Sequence, residues 1–233
     1  MAHRSALLTA YQNAAYARRY ADRVAAAAAA GAALGDARFA EAVARNLFKL
    51  MACKDEYEVA RLQSDPAFLA GLKRDYPGGD LRLRFHMSPP LLARRDPRTD
   101  ERGKVAFGDW ALPVLRVLAA GRRLRGTRLD PFGWQRERRV ERGLLADYEA
   151  FLDRVVPTLD LRRLDVCTRL AALPDAIRGF GHVKARSIVR AMEQRSALIA
   201  RLDAIEAAGT GAPEPDGRQD TEAPKDVDAE VCA

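Results

Sequence analysis

Apolar residues in this chain recur mostly at intervals of three and four, the spacing that lines them up on one side of an α-helix. From Ala6 to Ala33 the large positions Leu7, Leu8, Tyr11, Tyr16, Tyr20 and Val24 stand in alanine-rich sequence and predict one long helix, ended by Gly31 and Gly35. Asp36 can cap a second helix with a buried stripe of Phe39, Val43, Leu47, Leu50 and Met51, so the two form a helical hairpin. Lys54 to Leu62 continues or restarts helix. Ser64-Asp65-Pro66 then reads as a cap with proline in the first turn, leading a short helix from Ala67 to Tyr76.

The period changes after Pro77-Gly78-Gly79-Asp80. Leu81, Leu83, Phe85 and Met87 alternate with Arg82, Arg84, His86 and Ser88, the two-residue repeat of a half-buried strand. A single strand needs a partner, and Lys104 to Phe107 is the best candidate for a small antiparallel ribbon. Helical spacing returns at Trp110 to Leu118, followed by a basic connection from Gly121 to Arg128. Pro131 after Asp130 starts a helix of about six turns carrying Val140, Leu144, Tyr148, Leu152 and Val155, closed by Pro157. Leu161 to Leu173 and Val183 to Ala208 are further helices on either side of a Gly-Phe-Gly turn. The expected fold is mainly α (α+β): a helical domain over residues 1–208 with a small antiparallel β-ribbon. Residues 209–233 hold Gly, Pro and acids with little to bury, and are expected to be a disordered acidic tail.

Charge divides the chain unevenly. The net +7 combines a segment from Glu206 onward, eight acids against Arg218 and Lys225, with a preceding body of +13. The basic excess is densest between residues 81 and 142, which suits either a polyanion, an acidic protein surface or simple solvation. Arg94-Arg95-Asp96-Pro97-Arg98 and Arg122-Arg123-Leu124-Arg125 are the basic loops that could hold phosphates or pair with acids of another domain. The longest weakly polar run, about Val24 to Leu34, is too short for a bilayer, and the N-terminal residues lack the extended apolar core of a secretory signal. The expected compartment is the cytoplasm. Cys53, Cys167 and Cys232 are widely spaced and read as free thiols, unlike a disulfide framework or a thiolate cluster. The three histidines are equally scattered, and His86 reads as a surface histidine on the polar side of its strand unless a carboxylate lies near.

One local pattern carries candidate chemistry. In Ile177-Arg-Gly-Phe-Gly-His-Val-Lys184, two glycines open a helix whose unpaired N–H groups and dipole favour an anion. Arg178, Gly179, Gly181, His182 and Lys184 are the candidate anion- or partner-binding residues. This shape resembles the helix-hairpin-helix modules that grip nucleic-acid phosphates. The alternative is a tight interhelical turn that needs glycine only for positive φ. A phosphate-loop reading fails, because neither the four-residue gap nor a following Ser or Thr is present.

Several longer words look like one family. Leu8-Thr-Ala-Tyr-Gln-Asn-Ala-Ala-Tyr-Ala17, Asn46 to Leu62 and Leu81 to Pro97 are similar, in order and spacing, to the C-terminal domain of the fused bacterial indolepyruvate ferredoxin oxidoreductases. Ala106 to Pro113, Leu129-Asp-Pro-Phe-Gly133 and Ile177 to Lys184 extend the resemblance over about residues 6–200. The resemblance implies coenzyme A–dependent oxidative decarboxylation of aryl-pyruvates, with thiamine diphosphate, magnesium and iron–sulfur clusters in the full enzyme. This chain has no Gly-Asp-Gly run for the diphosphate and no clustered cysteines, so no cofactor is expected within it. The expectation is an accessory or assembly domain, or a split segment, whose partners are the catalytic domains or subunits. Coenzyme A or another phosphate-bearing ligand is a further candidate partner, and a nucleic-acid-binding module is the alternative. No membrane partner is expected.

Overall fold

A computed structural model describes residues 1–78, 82–87, 103, 105–179 and 181–210, the last two of these by backbone alone. The predicted basic loop Arg94 to Arg98 and, of the tail expected over residues 209–233, the part from 211 onward lie outside the described residues, whereas residues 209 and 210 end a helix. Within them the fold is helical with a two-stranded antiparallel ribbon, as the hydrophobic spacing predicts.

The first predicted helix is two. α1 (Ala2–Tyr11) and α2 (Ala14–Ala33) break at Asn13, whose backbone is extended and whose Oδ1 accepts the Tyr16 N–H at 2.8 Å. Asparagine competes for backbone groups more effectively as a cap than within a helix, so the alanine-rich pattern on both sides does not carry helix through it. The break lets α1 fold back onto α2. A tight turn at Gly35, φ +71°, then leads to α3 (Arg38–Met51). A Cβ on Gly31 would stand 2.5 Å from the Asp36 carbonyl oxygen, so this close approach requires glycine. The cap position of α3 is Ala37, with no side-chain cap bond; Asp36, one residue earlier, accepts the Arg38 N–H at 2.7 Å in a local turn.

α3 is the central element of the main core. Its Phe39, Val43, Leu47 and Met51 are buried against Tyr20 and Val24 of α2, and the same core takes in Leu152, Leu164, Leu170 and Leu202. Those last residues come from α7 (Arg136–Val155), α8 (Leu161–Ala172) and α9 (Gly181–Thr210). Phenols of α2 tie it to α3: Tyr16 donates to the Met51 carbonyl at 3.1 Å and Tyr20 to that of Ala44 at 2.9 Å.

Between α3 and α7 the chain builds a smaller lobe. α4 (Glu56–Gln63) starts at the Asp55 cap, and α5 (Pro66–Asp75) at Asp65 with proline in its first turn. β1 (Phe85–Met87) pairs antiparallel with β2 (Val105–Phe107), Phe85 opposite Phe107. α6 (Ala111–Ala120) covers the ribbon and packs on α4, burying Leu115, Ala111 and Ala119 with Phe85 and Ala60. His86 is exposed, on the outward side of its strand.

α7 begins at Arg136 and not at Pro131. The Asp130 carboxylate explains the shift: Oδ1 accepts the Phe132 N–H at 3.2 Å and Oδ2 the Gly126 N–H at 3.1 Å, while the Gly133 N–H bonds the Asp130 carbonyl. These bonds close a turn in which the aspartate serves a loop and not a helix start. Among the described residues no helix is long and apolar enough to cross a membrane.

Candidate functional site

The glycine turn sits between the 3-10 turn Leu173–Ala176 at the end of α8 and the start of α9. Gly179 and Gly181 have φ of +90° and +52°. A Cβ on Gly179 would lie 2.6 Å from Val183 Cγ1, so both conformation and packing demand glycine there. Ser187 stitches the turn together. Its Oγ accepts the Arg178 N–H at 3.1 Å, and its hydroxyl lies 3.0 Å from the Arg178 carbonyl and 2.8 Å from that of Lys184.

The cations predicted for an anion are engaged by the protein itself. Arg178 Nε donates to the Asp175 carbonyl at 2.9 Å, and Lys184 Nζ meets Glu141 Oε1 at 2.5 Å. Lys49 of α3 reaches across to the carbonyls of Pro174 and Asp175, at 2.7 and 3.3 Å. Burial, with Arg178 and Lys184 beside it, lowers the Lys49 pKa against the opposing pull of Asp175. His182 is exposed on the outside of the turn. The structure therefore brings Arg178, Gly179, Gly181 and Lys184 together as one turn, closed by its own bonds, with Phe180 outside the described residues.

Lys184 leads into a larger polar junction. Glu141 also takes Arg138 at 2.6 Å, and Arg138 lies 3.5 Å from Glu56 and donates to the Lys54 carbonyl at 3.4 Å. Next to it, Arg125 forks onto both oxygens of Asp55, at 2.6 and 2.8 Å, and donates a third bond, at 2.5 Å, to the Tyr11 carbonyl at the end of α1. Its guanidinium lies 3.6 Å from the centre of the Tyr11 ring. Asp55 simultaneously accepts the Glu58 N–H as the cap of α4. On the far side Tyr57 donates to Asp130 at 3.1 Å and packs edge-on against Phe132. Paired planar hydrogen bonds between ions, shielded from water, are among the strongest polar contacts a protein makes.

Burial raises the pKa of the phenols and the thiol of this junction. Burial, reinforced by Asp55, drives the Tyr11 phenol far up, and burial with Asp130 does the same to Tyr57. Burial and then Glu141 push the Cys53 thiol up to about 12. Burial opposes the charge on Arg125, yet the bond to Asp55 and the Tyr11 phenol keep its pKa above the usual value. Thiol and phenols stay protonated, and Asp55, Asp130 and Glu141 are taken by arginine, lysine, phenol or backbone N–H groups, while Glu56 Oε2 is buried without a hydrogen-bond partner. The arrangement binds segments of the chain to one another and presents no activated nucleophile.

A family model described as a family of unknown function, DUF6537, matches residues 1–197. The chain belongs to the DUF6537 family. No curated protein and no solved structure matches it. The DUF6537 span takes in the whole junction and ends inside α9. It also contains the sequence words on which the resemblance rests, and the junction is where four of them meet: Tyr11 from the first, Asp55 to Tyr57 from the second, Asp130 to Gly133 from another and Lys184 from the glycine turn.

The sequence pattern puts Arg125 in a basic loop that is solvated, holds phosphates or pairs with acids of another domain, and it marks no site at Asp55 or Asp130. The available signal was the cap spacing of Asp55 and Glu58, and it reports only the local half of the contact. A cavity of about 40 Å³ lies beneath the turn, walled by Leu50, Tyr148, Phe151, Ile177 and Met192. That is room for little more than a water molecule, and its walls are chiefly apolar. The described residues include no group of three or more His, Cys, Asp or Glu placed to hold a metal ion.

Proposed function

We propose that this chain is an accessory and assembly domain of an indolepyruvate ferredoxin oxidoreductase, docking on the catalytic domains or subunits that decarboxylate aryl-pyruvates. The observation that carries the reading is the convergence of four family-like words on one closed polar junction. Side chains from distant parts of the chain pair with each other there, as a scaffold requires, with Glu56 Oε2 and Arg138 Nε left buried without a hydrogen-bond partner. The DNA-binding alternative loses support because Lys184, its best phosphate contact, is drawn onto Glu141.

Thiamine diphosphate, magnesium and the iron–sulfur clusters belong, in this reading, to the partner. The donors here do not fit a cluster. Cys53 lies among Glu141, Lys184 and Arg138, whereas Cys167 lies in the main core with Arg163 and Glu206 as its nearest charges, and burial pushes its thiol up to about 11. Among the described residues, two cysteines in different parts of the fold do not make the closely spaced thiolate set that a cluster needs.

The test mixes the full chain with the separately produced catalytic region of such an oxidoreductase. Co-elution in size-exclusion chromatography and faster coenzyme A–dependent reduction of a viologen dye are expected. Independent elution with an unchanged rate would overturn the reading.

A further inference from the structure

Three cations converge on one acid where α3 meets the 3-10 turn Leu173–Ala176 that follows α8. The acid is Asp175. Arg45 and Lys49, one helical turn apart on α3, approach its two carboxylate oxygens at 3.7 and 3.9 Å. Arg178 Nε donates to the Asp175 carbonyl at 2.9 Å, and Lys49 Nζ reaches the same carbonyl at 3.3 Å beside its shorter bond, 2.7 Å, to that of Pro174. A guanidinium and an ammonium are thus held on one oxygen atom. Main-chain carbonyls take the hydrogen bonds of these cations and leave their charge in place.

Helix capping accounts for part of this arrangement, since the last carbonyls of a helix attract cations. The end of α8 is worth about half a negative charge and Asp175 adds one, so three cations leave a surplus of more than one positive charge. The neighbouring acids do not offset it. Glu141 is shared by Lys184 and Arg138, at 2.5 and 2.6 Å, and Asp147 lines the cavity beneath the turn together with Arg195. Elsewhere ion pairs close tightly, as Arg61–Glu58 and Arg125–Asp55 do at 2.6 Å. Here the contacts to the carboxylate stay long, Arg45 is 65% exposed, and exposed Arg178 has no carboxylate partner among the described residues. Burial lowers the Lys49 pKa, Asp175 opposes it, and Arg178 and Lys184 lower it further, so like charges crowd this ammonium.

We propose that Arg45, Lys49 and Arg178 form a binding site for the phosphate group of a small ligand, a phosphomonoester or a diphosphate. A dianion matches the surplus, which a single carboxylate would only partly relieve, and two open guanidiniums offer the forked donors that phosphate oxygens accept. A nucleic-acid backbone fits less well, because it needs cations repeated along a track and these three form a single point. Of the residues that the sequence pattern marks for an anion, Arg178 alone contributes. Arg45 and Lys49 come from α3, and Lys184 is spent on Glu141. The proposal does not rest on the oxidoreductase reading.

The test titrates the full chain with inorganic pyrophosphate at low salt, against sodium chloride of equal ionic strength, and follows thermal melting. A rise in melting temperature that saturates with a Kd below about 1 mM is expected. Lys49 should also react about threefold more slowly with an amine-acylating ester, read by peptide mass spectrometry, because a bound anion covers the amine and favours its protonated form. Exposed Lys73 on α5 should keep its rate. Arg45→Gln and Arg178→Gln should each weaken pyrophosphate about tenfold while leaving the melting temperature of the free chain unchanged, and Arg190→Gln on the outer side of α9 should change neither. No pyrophosphate-dependent shift up to about 10 mM, unaltered Lys49 reactivity, or full binding by the Arg45→Gln, Arg178→Gln double variant overturns the proposal. So does tighter binding of duplex DNA that the same double variant abolishes.

Discussion

The helices around α3 and the lobe formed by α4, α5, α6 and the ribbon solve the same packing problem with different means. Around α3, Tyr20, Phe39, Leu47 and Met51 are at most 1% exposed, and helices from both ends of the chain close over them. Among the described residues of the lobe, Phe85 and Leu115 are covered by a few small or partly buried neighbours, while Phe68, Tyr76, Trp110 and Val117 face outward. The body is held by apolar burial. The lobe is anchored by polar contacts at its base, where Arg125 and Asp55 join it to the end of α1 and Tyr57 to Asp130. A small core and a polar hinge region make the lobe the part expected to open first and the part with surface left to offer a partner.

That contrast is broken most severely from within the body. Phe39→Ala should cost about 4 kcal/mol in urea unfolding, because a fully buried ring leaves a cavity that the surrounding helices cannot close. Arg125→Ala should come next, at roughly 3 kcal/mol, since it strands the Asp55 carboxylate among buried groups. Its signature in hydrogen exchange should be regional: amides of α4 and α6 exposed early while α3 stays protected. Arg125→Lys should recover only part of the loss, as an ammonium cannot reproduce the fork or the stack on Tyr11. Leu115→Ala, inside the lobe, should cost about 2 kcal/mol, because a small core at a surface relaxes around the gap.

Alkaline pH should sharpen the difference between buried and surface chemistry. Cys53 and Cys167 release protons near 9 when unfolded and only at about 12 and about 11 when folded. Between those values the folded state binds more protons, so stability is full below pH 9 and falls as pH rises above it. Urea midpoints at pH 8 and pH 10 should show the drop. In a Cys232→Ser chain the buried Cys167 thiol should react with a disulfide reagent at pH 8 only as fast as the fold opens, and the half-buried Cys53 thiol sooner. The smallest effect is expected at the exposed face: Val117→Ser should change stability by no more than about 0.5 kcal/mol.

Much of the body was legible in the sequence, because a helix that buries one side must repeat its apolar residues every three or four positions. Phe39 to Met51 and Val140 to Val155 show that period directly, and the alternation before Met87 located the ribbon strand. The errors fall where a short polar side chain decides the backbone. Asn13 ends one helix and caps another, and Asp130 ties a turn ahead of α7, neither of which alters the surrounding hydrophobic spacing. The glycine turn was legible as a turn, since Gly179 and Gly181 need positive φ, but the engagement of Lys184 by Glu141 was not. The junction escaped for the same reason: Tyr11, Asp55 and Arg125 are far apart in the chain, and no local pattern records which arginine of a basic segment turns inward.

The docking role is tested most directly by hydrogen exchange of the full chain with and without the catalytic region of an indolepyruvate ferredoxin oxidoreductase. Added protection is expected in the lobe, with α3 unchanged. No change anywhere, or protection confined to the glycine turn at Arg178 to Lys184, would contradict it.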